Sequence, residues 1–546
     1  MLDPKQFERG SDFRGDYPRQ VNEELAFFVG RYLVRYLKDA KAVAKNDSPK
    51  IVVGRDGRLT SPAIYSALIQ GIGSAGGVAL PGGLATTDTV CWAAGSRLHG
   101  ADAGVMITAS HNPPEYNGIK MVRPTKTGSL PGLDTIRPTY LKPYFEADAK
   151  SVVATAAGGS ALPFPGTPVP LVRDFVRHAC RWAPDRSKFS GAIVIDPGNG
   201  VGSVFLDPLR EEVPGARIEA IAANIDGRFP SRPSNPGLPG ALDALGEAVR
   251  RSGALFGAAF DGDADRLFMV DENGEVISGD QLLEAIISII LPAAAGSGKP
   301  VAFTGTCSWG VVETVQQFGG VPYLCKVGQD TLKAAMQQVN AVWGGESSAH
   351  YNFPDSCYQD SGLIALMAFW QALHAGGQTT SQIVAALPCW HHSGEINVRI
   401  QSEDWQSISQ HVVQEIAESF REAGDSYVLE IDGVSVYSPK IDEFSDESAL
   451  LALAEGDEKG QRYREVKPGY KPDWWFSIRR SNNEPLLRLN VECSTGKMLK
   501  KKTVQMLQEL RNRCKSIGNA ETTVIDWGTL KGLKKKAEKT KSRKKK

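Results

Sequence analysis

IVVGRDGRLTSP, residues 51–62, decides the fold. Ile51, Val52 and Val53 make a β-branched strand, and the glycines of GRDGR make a turn. Thr60 or Ser61 then caps a helix whose first turn accepts Pro62. The same order recurs twice. AIVIDPGNGVGS, residues 192–203, is a strand and a glycine loop before a helix, and PVAFTGTCSWGVVETVQQFGG, residues 300–320, is a strand, a small-residue loop and a helix stopped by glycine. Three such openings at wide intervals predict three α/β domains with mainly parallel or mixed sheets. Ahead of the first, NEELAFFVGRYLVRYL predicts an amphipathic helix from about Asn22, with Phe27, Phe28, Tyr32, Leu33 and Tyr36 on one side. After His392 the pattern changes to GEINVRIQ (strand), SISQHVVQEIAESFREAG (helix), WWFSIRRSNNEPLLRLNVEC (two strands about a turn) and KKKTVQMLQELRNRC (helix). That is a smaller C-terminal α+β domain.

A chain of 546 residues is too long for one core. Two stretches rich in small residues, glycine and proline, 151–170 and 292–300, read as inter-domain segments. The expected domains are residues 1–160, 168–293, 294–388 and 393–520, with a basic, disordered tail at 521–546. No run approaches a membrane span; the most apolar, from Leu282 to Ala295, carries Glu284 and meets Pro292, so it reads as a buried helix. The first residues lack an apolar signal core, and the eight cysteines show no zinc-type spacing. Both features suit a reducing, cytoplasmic setting. Charge balances at zero, but residues 531–546 hold ten Lys or Arg against one Glu, leaving 52 basic against 61 acidic residues in the body.

Four further stretches carry candidate chemistry. AGVMITASHNPPEYNGIK, residues 103–120, delivers an apolar strand into a turn bearing Ser110, His111 and Asn112, and Pro113 and Pro114 then forbid regular structure. FDGDADRL, residues 260–267, crowds Asp261, Asp263 and Asp265 into one short loop. Unpaired, these carboxylates repel, and burial raises their pKa values. A hard divalent cation such as Mg²⁺ removes the conflict. GGESSAH, residues 344–350, offers Glu346 and Ser348 to hydroxyl groups and His350 as a proton donor or acceptor. A fourth stretch, RRSNNEPLLR, sets Ser481, Asn482 and Asn483 in a tight turn beside Arg479 and ahead of Arg488, a pattern that can hold a phosphate.

Together, in this order, these strings resemble the α-D-phosphohexomutases, most closely the phosphomannomutase and phosphoglucomutase types. The resemblance runs from about Phe13 to Cys493. It implies four domains around a central cleft, and transfer of phosphate between the 1- and 6-positions of a hexose phosphate, glucose or mannose, through a hexose 1,6-bisphosphate. Ser110 would carry the phosphate and share one Mg²⁺ with Asp261, Asp263 and Asp265, with Arg266 close to the reacting group. The FRG string resembles the end of the family's N-terminal motif and makes Arg14 a second active-site cation. Lys120, Arg14 and His350 are candidates for moving the hydroxyl proton, while His111 would support the serine loop. Glu346, Ser348 and His350 would read the sugar, as would Gln329, which stands where related mutases often have histidine. Arg479, Ser481, Asn482, Asn483 and Arg488 would form the distal phosphate clamp; Asn483 stands in place of the usual threonine. The resemblance implies a hexose 1,6-bisphosphate activator and no nucleotide cofactor. Nucleic acid is not an expected partner, although the basic tail could contact polyanions, and a monomer or dimer is expected. The rival readings are a phosphoglucosamine or acetylglucosamine-phosphate mutase and a non-catalytic sugar-phosphate sensor.

Overall fold

A computed structural model describes residues 2–40, 48–127, 130–150, 169–293, 298–440, 451–453, 463–466, 468–481, 484–526 and 528. The chain divides into two compact units, Met1–Ile290 with Met336–Ala386, and Leu291–Ala335 with Leu387–Lys546. The third domain, expected as one run over 294–388, therefore contributes to both. Most of the two inter-domain stretches, 151–168 and 294–297, lies outside the described residues.

In the first unit, the strand read from IVVGR is Lys50–Arg55. It pairs in parallel with Val78–Leu84 and Ala103–Ile107. Tyr116–Thr127 runs antiparallel to Ala103–Ile107, Leu130–Thr135 pairs with it, and Phe13–Asp16 closes the edge. The mixed sheet follows from the short serine loop: a turn of this length returns the chain antiparallel, whereas a parallel return needs a crossover helix. Asn22 caps the helix Glu23–Asp39 by accepting the Leu25 N–H at 2.9 Å. The buried face of this helix is not the aromatic one expected. Leu25, Val29, Tyr32, Leu33 and Leu37 are buried, whereas Phe27, Phe28 and Tyr36 are half-buried at the margin. Spacings of three and four residues set the stripe, and the aromatic rings flank it.

The second sheet holds Ala192–Asp196 in parallel with Arg217–Ala220 and Phe256–Phe260. Phe256–Phe260 and Leu267–Asp271 form an antiparallel hairpin whose connection is the aspartate loop. The apolar helix after it, Gly279–Ala293, is buried along one side by Leu282, Leu283, Ile286 and Ile287. A further hairpin, Trp343–Glu346 with His350–Phe353, completes the strands that carry the site, and the buried helix Gly362–Gly376 follows.

In the second unit, Lys299–Thr304 and Gly320–Cys325 pair in parallel. Tyr463–Val466 adds to Gly320–Cys325 antiparallel, so part of the expected 393–520 domain serves a different sheet. The C-terminal sheet is antiparallel, in the order Tyr427–Leu429, Val434–Ser438, Trp474–Arg480, Leu486–Cys493, Ile396–Gln401, Glu521–Asp526. The helices Trp405–Ala423 and Gly496–Gly518 cover it through Val412, Ile416, Met506 and Leu510. The last strand moves the boundary at 520: residues 521–526 pair with Ile396–Gln401, while residues 527 and 529–546 of the expected tail lie outside the described residues. None of the eight cysteines is in a disulfide. Among the described residues no helix is long and apolar enough to cross a membrane.

Candidate active site

Ala103–Ile107 is buried at every position and emerges into residues 108–112. Ser110 sits there with φ 51°, a left-handed conformation that a non-glycine residue adopts only when its surroundings impose it. Two contacts do so: the Ser110 N–H donates to Thr108 Oγ1 at 2.8 Å, and its carbonyl accepts from Arg58 Nη2 at 2.8 Å. Arg58 is the hub of the loop. Its Nη2 also reaches the Asn112 carbonyl (2.7 Å), and its Nη1 reaches those of Pro113 (2.6 Å) and Tyr116 (3.0 Å). Its Nε is paired with buried Asp56 at 3.0 Å. Ser110 is consequently only 3% exposed, not on the open loop that its setting between turn residues suggests.

The aspartate loop lies directly against it. A Cβ on Gly262 would stand 2.5 Å from the Ser110 carbonyl oxygen, so only glycine permits the approach. Ser110 Oγ donates to Asp261 Oδ2 at 3.0 Å. Asp261, Asp263 and Asp265 are buried, with ligand oxygens within 4.8 Å of one another. Their electrostatics are unequal. Burial, then Asp265 and Asp263, push Asp261 well above the ordinary carboxylate range, and burial with Asp263 raises Asp265. Asp263 goes the other way: burial opposes its charge, but Lys120, Thr87 and Arg14 outweigh burial and hold it low. Lys120 Nζ donates to Asp263 Oδ2 at 2.8 Å and to Asp265 Oδ2 at 3.0 Å, and Thr87 Oγ1 donates to Asp263 Oδ2 at 2.6 Å. Mutual repulsion thus falls on Asp261 and Asp265, not on all three alike. Burial works against the Lys120 charge, yet the two carboxylates hold its ammonium above the ordinary lysine value.

His111 Nδ1 accepts from Arg266 Nη2 at 2.8 Å and lies 3.2 Å from Ser110 Oγ. Burial, Arg266 and Arg14 push the imidazole down to about 3, so the ring is neutral near pH 7. Arg14 Nη1 donates to Asn112 Oδ1 at 2.9 Å, and its Nη2 pairs with Asp12 at 2.5 Å. In the next hairpin Glu346 stands directly opposite His350, and Ser348 Oγ donates to Glu346 Oε2 at 3.0 Å. Ala349 between them has φ 69°, which a small residue tolerates better than a large one. His350 Nδ1 is hydrogen-bonded to buried Asp360, and His350, Asp360 and Asp265 also bring ligand atoms within 4.8 Å. The structure therefore gathers Ser110, His111, Lys120, Arg14, Arg266, the three aspartates and His350 into one cluster of the first unit.

Sequence reasoning left Arg58, Asp56, Thr87, Asp88 and Asp360 without a role. Asp56 and Arg58 lie in the GRDGR turn, which resembles the family's G-x-D-x-R stretch but gives neither residue a role by itself. Asp88 is fully buried, accepting from Ser361 Oγ at 2.6 Å and from the Thr89 N–H at 2.8 Å, and burial pushes it up to about 7. No local pattern marks it.

The remaining candidates belong to the second unit. Gln329 opens the helix Gln329–Val339. Arg479 and Arg488 are directly opposite each other on neighbouring strands. Ser481 donates its N–H to the Leu486 carbonyl at 2.9 Å, closing the turn; Asn482 and Asn483 lie outside the described residues.

Residues 5–132, 174–274 and 278–389 match the phosphoglucomutase/phosphomannomutase alpha/beta/alpha domain I, II and III family models. A protein of Xanthomonas campestris pv. campestris named "Phosphohexose mutases" is 33% identical over 506 residues, covering 91% of this chain and 97% of that one. The phosphomannomutase of Salmonella montevideo is 31% identical over 513 residues, covering 92% and 98% respectively. In fold, the chain is similar to a phosphoglucomutase/phosphomannomutase family protein from Burkholderia thailandensis. The TM-score is 0.72 at 23% identity, over 95% of this chain and 99% of that chain.

Proposed function

Because the chain belongs to the phosphoglucomutase/phosphomannomutase family, and is thereby a phosphohexomutase, we propose that it moves phosphate between the 1- and 6-positions of glucose or mannose phosphates through phosphorylated Ser110. The observation that carries this reading is Ser110 Oγ, held on a strained backbone 3.0 Å from Asp261 at the edge of a buried three-carboxylate cluster.

The cluster fits Mg²⁺. Its donors are all oxygen, and Asp263 Oδ1 and Asp265 Oδ1 are buried with no hydrogen-bond partner among the described residues. Asp261, Asp263 and Asp265, with the group on Ser110, would hold the ion. When bound, it neutralises charge on the phosphoryl oxygens.

In the forward half-reaction the hexose hydroxyl attacks phosphorus, the bond from Ser110 Oγ to phosphorus breaks, and the hydroxyl proton leaves. Three groups are candidates for that proton. Lys120 donates to both Asp263 and Asp265, and a guanidinium such as that of Arg14 stays protonated in proteins. His350 remains: Asp360 holds its Nδ1 and leaves Nε2 to exchange the proton. Arg266 supplies charge at the transferring group, and neutral His111 fixes Arg266 without adding repulsion. Glu346 and Ser348 read hydroxyls. The bisphosphate then turns, and its other phosphate returns to Ser110. Arg479 and Arg488 hold the phosphate that is not reacting, and hexose 1,6-bisphosphate restores any enzyme that has lost the serine phosphate.

Incubation with glucose 1-phosphate, mannose 1-phosphate and glucosamine 1-phosphate, each with Mg²⁺ and bisphosphate, tests the reading. Turnover of glucose or mannose phosphate supports it. Turnover of the amino sugar alone moves the chain to the aminosugar mutases, and no turnover of any leaves a sugar-phosphate binder.

A further inference from the structure

Arg479 and Arg488 face each other across adjacent antiparallel strands, a placement in which like charges repel. Glu395, just ahead of the neighbouring strand Ile396–Gln401, resolves this. Its Oε2 accepts from Arg479 Nη2 at 2.6 Å and its Oε1 from Arg488 Nη1 at 2.7 Å, one carboxylate spanning both guanidinium groups. Glu484 lies 3.7 Å from Arg488 Nη2, so the four charges balance before any ligand arrives. Arg479 Nε is buried and has no hydrogen-bond partner among the described residues.

We infer that Glu395 is a positioning residue that aligns the two arginines and deliberately weakens their hold on phosphate; this rests on reading Arg479 and Arg488 as the phosphate clamp. The reason is electrostatic. A carboxylate bonded to the terminal nitrogens takes donors a phosphate would use, and its negative charge subtracts from the attraction of the two guanidiniums. The order it imposes on two partly exposed side chains is the smaller effect. A mutase must release each phosphate every cycle so that the bisphosphate can turn, and tighter uniform binding lowers KM without raising kcat.

The test compares Glu395→Gln, Glu395→Asp and Arg479→Gln in the full chain, reading KM and kcat for glucose 1-phosphate and competitive inhibition by inorganic phosphate. Phosphate-induced thermal shifts give a second readout that needs no turnover. Glutamine keeps the shape but loses the charge, and should tighten phosphate by about fivefold, the scale of one partly exposed charge, with lower KM and no gain in kcat. Aspartate keeps the charge and should stay near the parent. If Glu395→Gln weakens phosphate binding or leaves it unchanged while Arg479→Gln weakens it, the inference is wrong and the clamp stands. If Arg479→Gln leaves phosphate binding untouched, the clamp reading fails and takes the inference with it.

Discussion

Replacing Arg58 by Met keeps much of the side chain's bulk and removes every polar contact that the Arg58 guanidinium makes to the serine loop. The lost contacts are the ion pair to Asp56 at 3.0 Å and four bonds to the carbonyls of Ser110, Asn112, Pro113 and Tyr116 at 2.6–3.0 Å. Asp56, 0% exposed, would keep the Ser61 and Thr108 hydroxyls and the residue 58 N–H, but no cation. Leaving one member of a buried pair behind costs about 3–5 kcal/mol. Each orphaned carbonyl adds to that until water enters, so the total should sit at the upper end of that range. At about 2–4 °C per kcal/mol for a large domain, the melting temperature should fall by roughly 10–20 °C. Activity should fall further than stability explains, because the left-handed Ser110 loses its strongest restraint. Thermal melting by circular dichroism and mutase turnover well below the new midpoint separate the two effects. Arg58→Lys, which keeps charge but not the fork, should fall between. A variant that melts within 2 °C of the parent, with full turnover, would refute the loop account.

Ser110→Ala should abolish turnover while changing the melting temperature little, since it removes one hydroxyl whose acceptor Asp261 is already pushed toward its neutral form; a retained rate counts against the serine as carrier. Asp263→Asn should weaken the Mg²⁺ dependence of the rate and destabilise the metal-free protein, because Asp263 is the carboxylate that Lys120 and Thr87 stabilise; unchanged Mg²⁺ titration with an unshifted melt would overturn this assignment. Asp88 holds its proton in the folded state up to about 7, while the unfolded chain releases it near 4. Its contribution therefore declines as pH rises from about 4 to 7 and is flat above; at about 1.4 kcal/mol per pH unit, burial of this one group bounds the loss at about 4 kcal/mol. Asp88→Asn in chelator should flatten that slope in urea melts at pH 5 and 8, and an unaltered slope would show the acid is not the cause.

Periodicity and turn chemistry made the strands and their loops legible. Lys50–Arg55 and Ala192–Asp196 carry local β-branched runs, Lys299–Thr304 a short apolar one, and the Ser110 and aspartate loops each announce themselves within one short string. Long-range pairing was not legible. Nothing local shows that Tyr463–Val466 joins Gly320–Cys325, or that Glu521–Asp526 is a sixth strand, because an edge strand of alternating polarity resembles a solvated segment. The individual carboxylates were unreadable for the same reason. The three aspartates look alike in DGDAD, and only the arrival of Lys120 and Thr87 from elsewhere in the chain separates Asp263 from its neighbours. Glu395 looks like an ordinary polar residue before a strand, and its meaning depends on two arginines about 84 and 93 positions away.

The central claim is that Ser110 carries the phosphate that is transferred. Peptide mass spectrometry of freshly purified, active protein tests it most directly, before and after incubation with excess hexose monophosphate. Phosphate should sit on Ser110 in the active protein, pass to the sugar as bisphosphate when substrate is added, and return when bisphosphate is supplied. Full mutase activity from protein whose Ser110 is unmodified throughout the cycle would contradict the account.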